Sequence, residues 1–370
     1  MKKILFFISN LSVGGAEKVL VNLVNNMDRA KFDITVQTLF GGGVNEQFLK
    51  KDITYRSCFK KTFKGNSQIL KLFQPKTLYK RFIKENYDII VSYLEGPTAR
   101  IVAGCPNQAT KKICWIHCRF DSRETAQVGF RSFEEAKKVF CRFDKIVCVS
   151  ELVKRSFCQT MGYNGNIEVL YNTNETKQVY QISLEPVEDV VFDKDYFHLC
   201  SVGKIEPVKG FDRLARVHKR LLDDGVRHMI YILGDGSQKK EITMYLRDNQ
   251  LENTFRFLGY HTNPYKYISK CDLFVCSSLS EGFSTAATEA LIVGTPVCTV
   301  EVSGMKEMLG EHNEYGVVTE NSEDALYEGI KTLLENPERL AHYRRQAEIR
   351  GKNFSTENTV RAVEEMLMKL

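Results

Sequence analysis

A chain of 370 residues is too long for one ordinary core, so two domains are expected. With 43% hydrophobic and 26% charged residues it reads as globular, and 52 Lys plus Arg against 46 Asp plus Glu leave only +6. That surplus is too mild to imply nucleic acid, and no nucleic-acid-binding motif is present. Eleven cysteines at irregular spacing, with no Cys-x-x-Cys, fit a reducing compartment better than a disulfide framework.

The apolar run 4–8 behind Lys2 and Lys3 is too short for a signal peptide and reads as a first strand. Residues 16–27 form a helix with Val19, Leu20, Leu23, Val24 and Met27 on one face. Strands follow at 34–39, 89–93, 113–116 and 146–149, mostly separated by helical stretches. The polar, weakly periodic stretch 173–195 reads as a linker. A second series has strands at 198–202, 229–233, 255–258, 273–276 and 296–300, and helices near 211–223, 238–249, 285–293 and 322–335. The last fifty residues or so hold only helices. This alternation predicts mainly parallel sheets covered by helices, with ligands beyond the carboxyl ends of the strands.

Those ends carry the unusual residues. The first strand runs into Gly14-Gly15-Ala16-Glu17, where two glycines let backbone approach a ligand and a helix start favours an anion. The same glycines also fit a plain helix entry. After 198–202 comes Gly203-Lys204-Ile205-Glu206-Pro207-Val208-Lys209-Gly210, whose two lysines suit a diphosphate or plain solvent. Gly234-Asp235-Gly236 follows the next strand, and Asp235 is placed to cap the helix after it. His117 ends the strand 113–116. With Cys114 and Cys118 it lacks a second ligand pair at zinc spacing, so no metal site is expected.

The most informative stretch is Ser280-Glu281-Gly282-Phe283-Ser284-Thr285-Ala286-Ala287-Thr288-Glu289. Eight residues advance a helix about 80° beyond two turns, so Glu281 is placed in a loop and Glu289 inside the helix. Gly282 bares backbone N–H groups, and Ser284 or Thr285 can cap. The result is an anion site flanked by two carboxylates that can accept hydrogen bonds from ligand hydroxyls. Two surface acids near a helix start would look the same in sequence.

Glu281 and Glu289 match the Glu-x7-Glu pattern of retaining GT-B glycosyltransferases. Together with Gly294-Thr295-Pro296-Val297, the Gly14–Glu17 loop and the Gly203–Gly210 loop, they make nearly the whole chain resemble glycosyltransferase family 4. The resemblance implies an α/β GT-B fold of two Rossmann-like domains facing across a cleft. Residues 1–172 would bind acceptor, 173–196 link, 197–350 bind the donor, and 351–370 return to the first domain. It implies a nucleoside-diphosphate sugar donor, UDP favoured and GDP possible, with no cofactor or metal required. By position, Glu281 would meet donor-sugar hydroxyls and Glu289 the ribose. Lys204 and Lys209 would neutralise the diphosphate, with Lys204 standing where the family usually has Arg. Gly14, Gly15, Gly234, Gly282, Phe283, Ser284 and Thr285 would line the donor site, and His117 would lie near the reacting carbon, with Glu281 and Lys209 as its partners in catalysis.

No residue suits a far-face nucleophile, so a front-face transfer of a hexose or N-acetylhexosamine with retention is implied, the leaving diphosphate taking the acceptor proton. A silent nucleotide-sugar-binding subunit and a GT-B sugar-nucleotide epimerase are the alternative readings.

Residues 50–84 hold eleven Lys or Arg and one acid, with Phe59, Phe63, Leu70, Leu72, Phe73, Tyr79 and Phe82 interleaved. This pattern fits a surface resting on anionic membrane and equally an acceptor groove. A saccharide or lipid-linked saccharide acceptor follows as the expectation, with the chain cytoplasmic or peripheral on the inner face of a bacterial membrane.

Overall fold

A computed structural model of the chain describes residues 1–63 and 65–370; Lys64, part of the basic stretch, lies outside the described residues. The chain divides into two compact units, Met1–Thr173 with Thr356–Leu370, and Asn174–Ser355.

The first unit is built on seven strands: β1 (Lys2–Ile8), β2 (Phe32–Phe40), β3 (Thr54–Phe59), β4 (Ile89–Ser92), β5 (Lys111–Ile116), β6 (Lys145–Cys148) and β7 (Ile167–Val169). Their spatial order is β3-β2-β1-β4-β5-β6-β7, with every ladder parallel. A parallel strand with both faces covered must be apolar throughout. Ile4, Leu5, Phe6, Phe7 and Ile8 of β1 are accordingly all fully buried, and Ile4 is registered between Ile34 and Ile89. The last helix, Thr356–Met368, joins this unit: Lys2 Nζ donates to the Leu367 carbonyl at 2.9 Å, and Glu364 Oε1 accepts from the Asp28 N–H at 2.6 Å.

The second unit has six parallel strands: β8 (Phe197–Val202), β9 (His228–Leu233), β10 (Phe255–Gly259), β11 (Leu273–Cys276), β12 (Val297–Val300) and β13 (Val317–Thr319). Their order is β10-β9-β8-β11-β12-β13. In both sheets the chain starts centrally, builds outward one way, then crosses to the other side. The switch points lie between β1 and β4 and between β8 and β11, where a doubly wound sheet leaves room for a ligand.

Three strands, β3, β7 and β13, have no counterpart in the sequence reading. All three are edge strands, and none is a continuous buried apolar run. The stretch read as a linker carries local structure. Helix Thr176–Ser183 lies within it, buries Val179, and accepts hydrogen bonds at the Ser183 and Ile182 carbonyls from Ser269 Oγ (3.0 Å) and Asn263 Nδ2 (2.8 Å) of the second unit.

Candidate functional site

The second unit gathers its chemistry at the β8/β11 switch point. After β8, the chain makes a short turn at Pro207–Lys209 and enters helix Phe211–Asp223 through Gly210, at φ +62°. A Cβ at Gly210 would overlap the Ser277 carbonyl just after β11, so glycine is what lets the two loops close on each other. They are then stitched: Leu279 N–H donates to the Val208 carbonyl at 2.7 Å, and Ser277 Oγ to the Lys209 carbonyl at 3.0 Å.

This brings Lys209 to Glu281. Lys209 Nζ donates to Glu281 Oε1 at 2.6 Å, and Ser278 Oγ donates to the same oxygen at 2.7 Å. Burial would lower the pKa of the Lys209 ammonium, but the Glu281 carboxylate outweighs it and holds the pKa above its usual value. Lys209 is therefore a fixed positive charge. Lys204, five residues earlier, is exposed, and Phe257 through Gly259 of β10 flank the far side of this end of the sheet through the Gly234 N–H, which donates to the Gly259 carbonyl at 2.7 Å.

Helix Thr285–Ile292 starts beside them. Ser284 caps it, its side chain accepting from the Ala287 N–H at 3.3 Å. Glu289 lies inside the helix, 4% exposed, and Tyr265 Oη donates to its Oε1 at 3.2 Å. Phe283 turns inward: its ring sits against Gly304 and 6.1 Å from the Phe354 ring. Gly234 and Gly203 pack backbone to backbone, and a Cβ on Gly234 would overlap the Gly203 carbonyl. Asp235 does not cap the next helix. That helix, Lys239–Asp248, begins at Gln238, while Asp235 accepts from the Gly236 N–H at 3.0 Å and pairs with Lys239 at 3.7 Å. The chain needs four residues after Asp235 to reach its first helical turn, which puts the aspartate out of capping range.

Sequence reasoning passed over Arg213. It is 6% exposed and donates to the Ser277 carbonyl (2.7 Å), the Ser278 carbonyl (2.9 Å) and Asn321 Oδ1 (2.8 Å). One guanidinium thus fixes the β11 loop that carries Glu281. An arginine two residues into an amphipathic helix gives no signal in sequence except its place beside the lysine loop.

In the first unit, Gly14 is the N-cap of helix Gly15–Asn26, and the Glu17 carboxyl folds back against it. His117 stands just beyond β5, its ring 5.0 Å from the Tyr93 ring and 9% exposed. Among the described residues, ring Nε2 is buried with no hydrogen-bond partner. Burial lowers the pKa of the imidazole to about 3, the nearby Tyr93 backbone opposing. His117 is therefore neutral. Glu95, just after β4 at the switch point, was also passed over. Its Oε2 accepts from the His117 N–H at 3.0 Å, and burial raises its pKa against the pull of that bond. An acid closing a strand is the signal that would have found it. Among the described residues, no group of three His, Cys, Asp or Glu is arranged to hold a metal ion.

Two family profiles match, "Glycosyltransferase Family 4" over residues 13–177 and "Glycosyl transferases group 1" over residues 186–350. The chain belongs to glycosyltransferase family 4. Its fold is GT-B, two Rossmann-like parallel-sheet units. This family 4 member is 27% identical to an N-acetylgalactosamine-N,N'-diacetylbacillosaminyl-diphospho-undecaprenol 4-alpha-N-acetylgalactosaminyltransferase of Campylobacter jejuni, over 96% of both chains. Its fold is similar to HepE of Anabaena, solved in complex with UDP and glucose, at TM-score 0.79 and 21% identity over 100% of both chains. It is also similar to sucrose-phosphate synthase of Thermosynechococcus elongatus, at TM-score 0.80 and 15% identity over 100% of this chain and 99% of that one. Glycosyl transfer in glycan synthesis is the activity these relationships carry.

Proposed function

We propose that the protein transfers a hexose or N-acetylhexosamine from a UDP-sugar, with retention of anomeric configuration, to a saccharide or lipid-linked saccharide. The observation that carries this reading is the Lys209–Glu281–Ser278 cluster at the β8/β11 switch point, beside a capped helix start and the buried Glu289. The named relatives support the donor and acceptor classes: HepE was solved with UDP, and the Campylobacter enzyme's name contains an alpha linkage and a diphospho-undecaprenol.

The chemistry follows from charge. Breaking a sugar–phosphate bond leaves negative charge on the diphosphate. Lys209, and Lys204 from the same loop, supply positive charge there, and the start of helix Thr285–Ile292 adds the positive end of its dipole. Glu281 has one oxygen occupied by Lys209 and Ser278, which leaves Oε2 to accept a sugar hydroxyl. Glu289 takes the ribose hydroxyls, with Tyr265 orienting its carboxylate. In the first unit, the Gly14–Gly15 helix start suits an anion, and His117 Nε2 accepts a hydroxyl hydrogen bond rather than transferring a proton.

No side chain in these sets is a free carboxylate nucleophile opposite Lys209. The acceptor's proton therefore goes to the departing diphosphate, and attack occurs on the face the leaving group vacates. Incubating the protein with a UDP-sugar in water and reading the first-formed free sugar by NMR tests this. The α anomer supports retention, and the β anomer sinks it. Absence of turnover with retained UDP binding favours the silent-subunit reading.

A further inference from the structure

Between β3 and β4 the first unit holds large apolar side chains in solvent. Ile69, Leu72 and Phe73 are 46%, 75% and 47% exposed, and Phe63 is 39% exposed, while Leu70 between them is buried. Such a row on a water-soluble surface costs free energy and marks a contact.

The row is held rigidly. Two arginines take the carbonyls of residues 70–73, at the end of helix Asn66–Leu72. Arg100 donates to the Leu70 carbonyl (2.9 Å) and the Phe73 carbonyl (2.7 Å), and Arg131 to the Lys71 carbonyl and, at 2.9 Å, the Leu72 carbonyl. Arg100 is 1% exposed, and Glu135 fixes both ends of this clamp, accepting from Arg100 Nε at 2.9 Å and from the Arg131 N–H at 2.6 Å. A clamp anchored on the buried, ion-paired Arg100 beneath an exposed apolar tip maintains the exposure rather than relieving it.

Next to the tip lies a groove of about 700 Å³ lined by Gln74, Lys76, Lys80, Lys138, Val139 and Arg142, with the clamp's Glu135 at its edge. Among the described residues none of its four cations is ion-paired, and its single acid is committed to the arginines. Phe63 stacks edge-on against Phe59 (5.4 Å) and Phe40 (5.8 Å), at the carboxyl ends of β3 and β2, and the Phe40 N–H donates to the Ser9 carbonyl at 2.9 Å. Phe63, whose carbonyl accepts from Asn66 Nδ2 at the start of the same helix, thus adjoins the strand ends of β2 and β3.

We propose that this surface docks on an anionic bilayer, with Ile69, Leu72 and Phe73 entering the headgroup–acyl boundary and Lys76, Lys80, Lys138 and Arg142 binding lipid phosphates. Charge complementarity selects this occupant. A neutral glycan is held by hydrogen-bond acceptors, and the groove has no uncommitted carboxylate, whereas phosphates beside hydrocarbon match cations beside an apolar row. The inference deepens the lipid-linked acceptor reading but stands without the nucleotide site.

The test is cosedimentation of the full chain with phosphatidylcholine vesicles, with and without phosphatidylglycerol, in the absence of nucleotide. The wild type binds the anionic vesicles, and added salt weakens binding. Lys76→Glu with Lys80→Glu weakens binding roughly tenfold or more. Leu72→Asp with Phe73→Asp abolishes it at low salt, with an unchanged thermal melt. Leu72→Trp gives a blue-shifted emission on vesicle addition against the buried Trp115 background. Failure of the wild type to bind, equal binding by the Leu72/Phe73 variant, or an unshifted Leu72→Trp emission overturns the proposal. UDP binding by the same sample reports separately on the function proposed above.

Discussion

Lys209 Nζ lies 2.6 Å from Glu281 Oε1, joining the loops that leave the two strands flanking the second unit's switch point. Each side chain comes from a different strand end, and the pair exists because Gly210 lets the loops touch. An ammonium already oriented by a carboxylate needs no reorganisation when a diphosphate arrives, which is how electrostatic preorganisation lowers a barrier.

Lys209→Ala is expected to lower turnover by roughly 10²–10³-fold, the usual cost of removing one preorganised donor from developing charge. Stability changes little, because the ion pair is partly solvated. Steady-state kinetics with a UDP-sugar, alongside a urea melt, separates the two effects. A large drop in stability with unchanged turnover would make the lysine structural.

Arg213→Ala leaves the Ser277 and Ser278 carbonyls and Asn321 without their donor, at a cost of about 2–4 kcal/mol. It also frees the Glu281 loop, so UDP affinity falls even in the surviving folded fraction. Arg213→Lys, which keeps charge but not the fork, recovers stability in part and affinity less. Urea unfolding and calorimetric titration with UDP measure the two quantities.

His117 contributes no ionisation to the pH–rate profile in the neutral range, since its pKa lies at about 3. The profile of His117→Asn, an acceptor-bearing replacement, should parallel that of the wild type at reduced rate. A wild-type limb near pH 6.5 that disappears in the variant would show that the imidazole titrates during turnover.

Acid destabilises the second unit through a buried histidine pair. His218 Nδ1 and His228 Nε2 are 2.7 Å apart, and His228 Nδ1 donates to the Val226 carbonyl at 2.8 Å. Burial lowers their pKa values to about 2 and about 4. Both groups are neutral when folded and protonate near pH 6.5 when unfolded, so the unfolded chain binds more protons. Stability therefore rises with pH, is fully present above about pH 6.5, and is lost as pH falls from there to about 4 for His228 and about 2 for His218. Each histidine contributes a slope of up to about 1.4 kcal/mol per pH unit. Urea midpoints between pH 7 and pH 5 check this, and a flat profile would contradict it.

Central strands were legible because burial on both faces forces continuous apolar runs such as Ile4 to Ile8, and the segment from Leu273 to Cys276 coincides with β11. Of the four edge strands only β10 was read, at 255–258; β3, β7 and β13 were not, because an edge strand has one unpaired side and its residues need not be apolar: β3 reads Thr-Tyr-Arg-Ser-Cys-Phe. Glu281 and Lys209 stood out by their places in loops after strands, and Glu289 by its spacing from Glu281. Arg213 and Glu95 act on backbone groups brought near only by folding, the Ser277 carbonyl and the His117 N–H, and no spacing in the chain encodes those contacts. Phe283 shows the reverse limit: it sits inside the motif, yet its ring belongs to the core.

The measurement that tests the donor-site reading most directly is calorimetric titration of the wild type, Lys209→Ala and Glu289→Gln with UDP and with GDP. The account predicts saturable UDP binding by the wild type, weaker GDP binding, and at least a tenfold loss in each variant, about 1.4 kcal/mol or more. Folded protein that takes up neither nucleotide, or variants that bind UDP as tightly as the wild type, would contradict it.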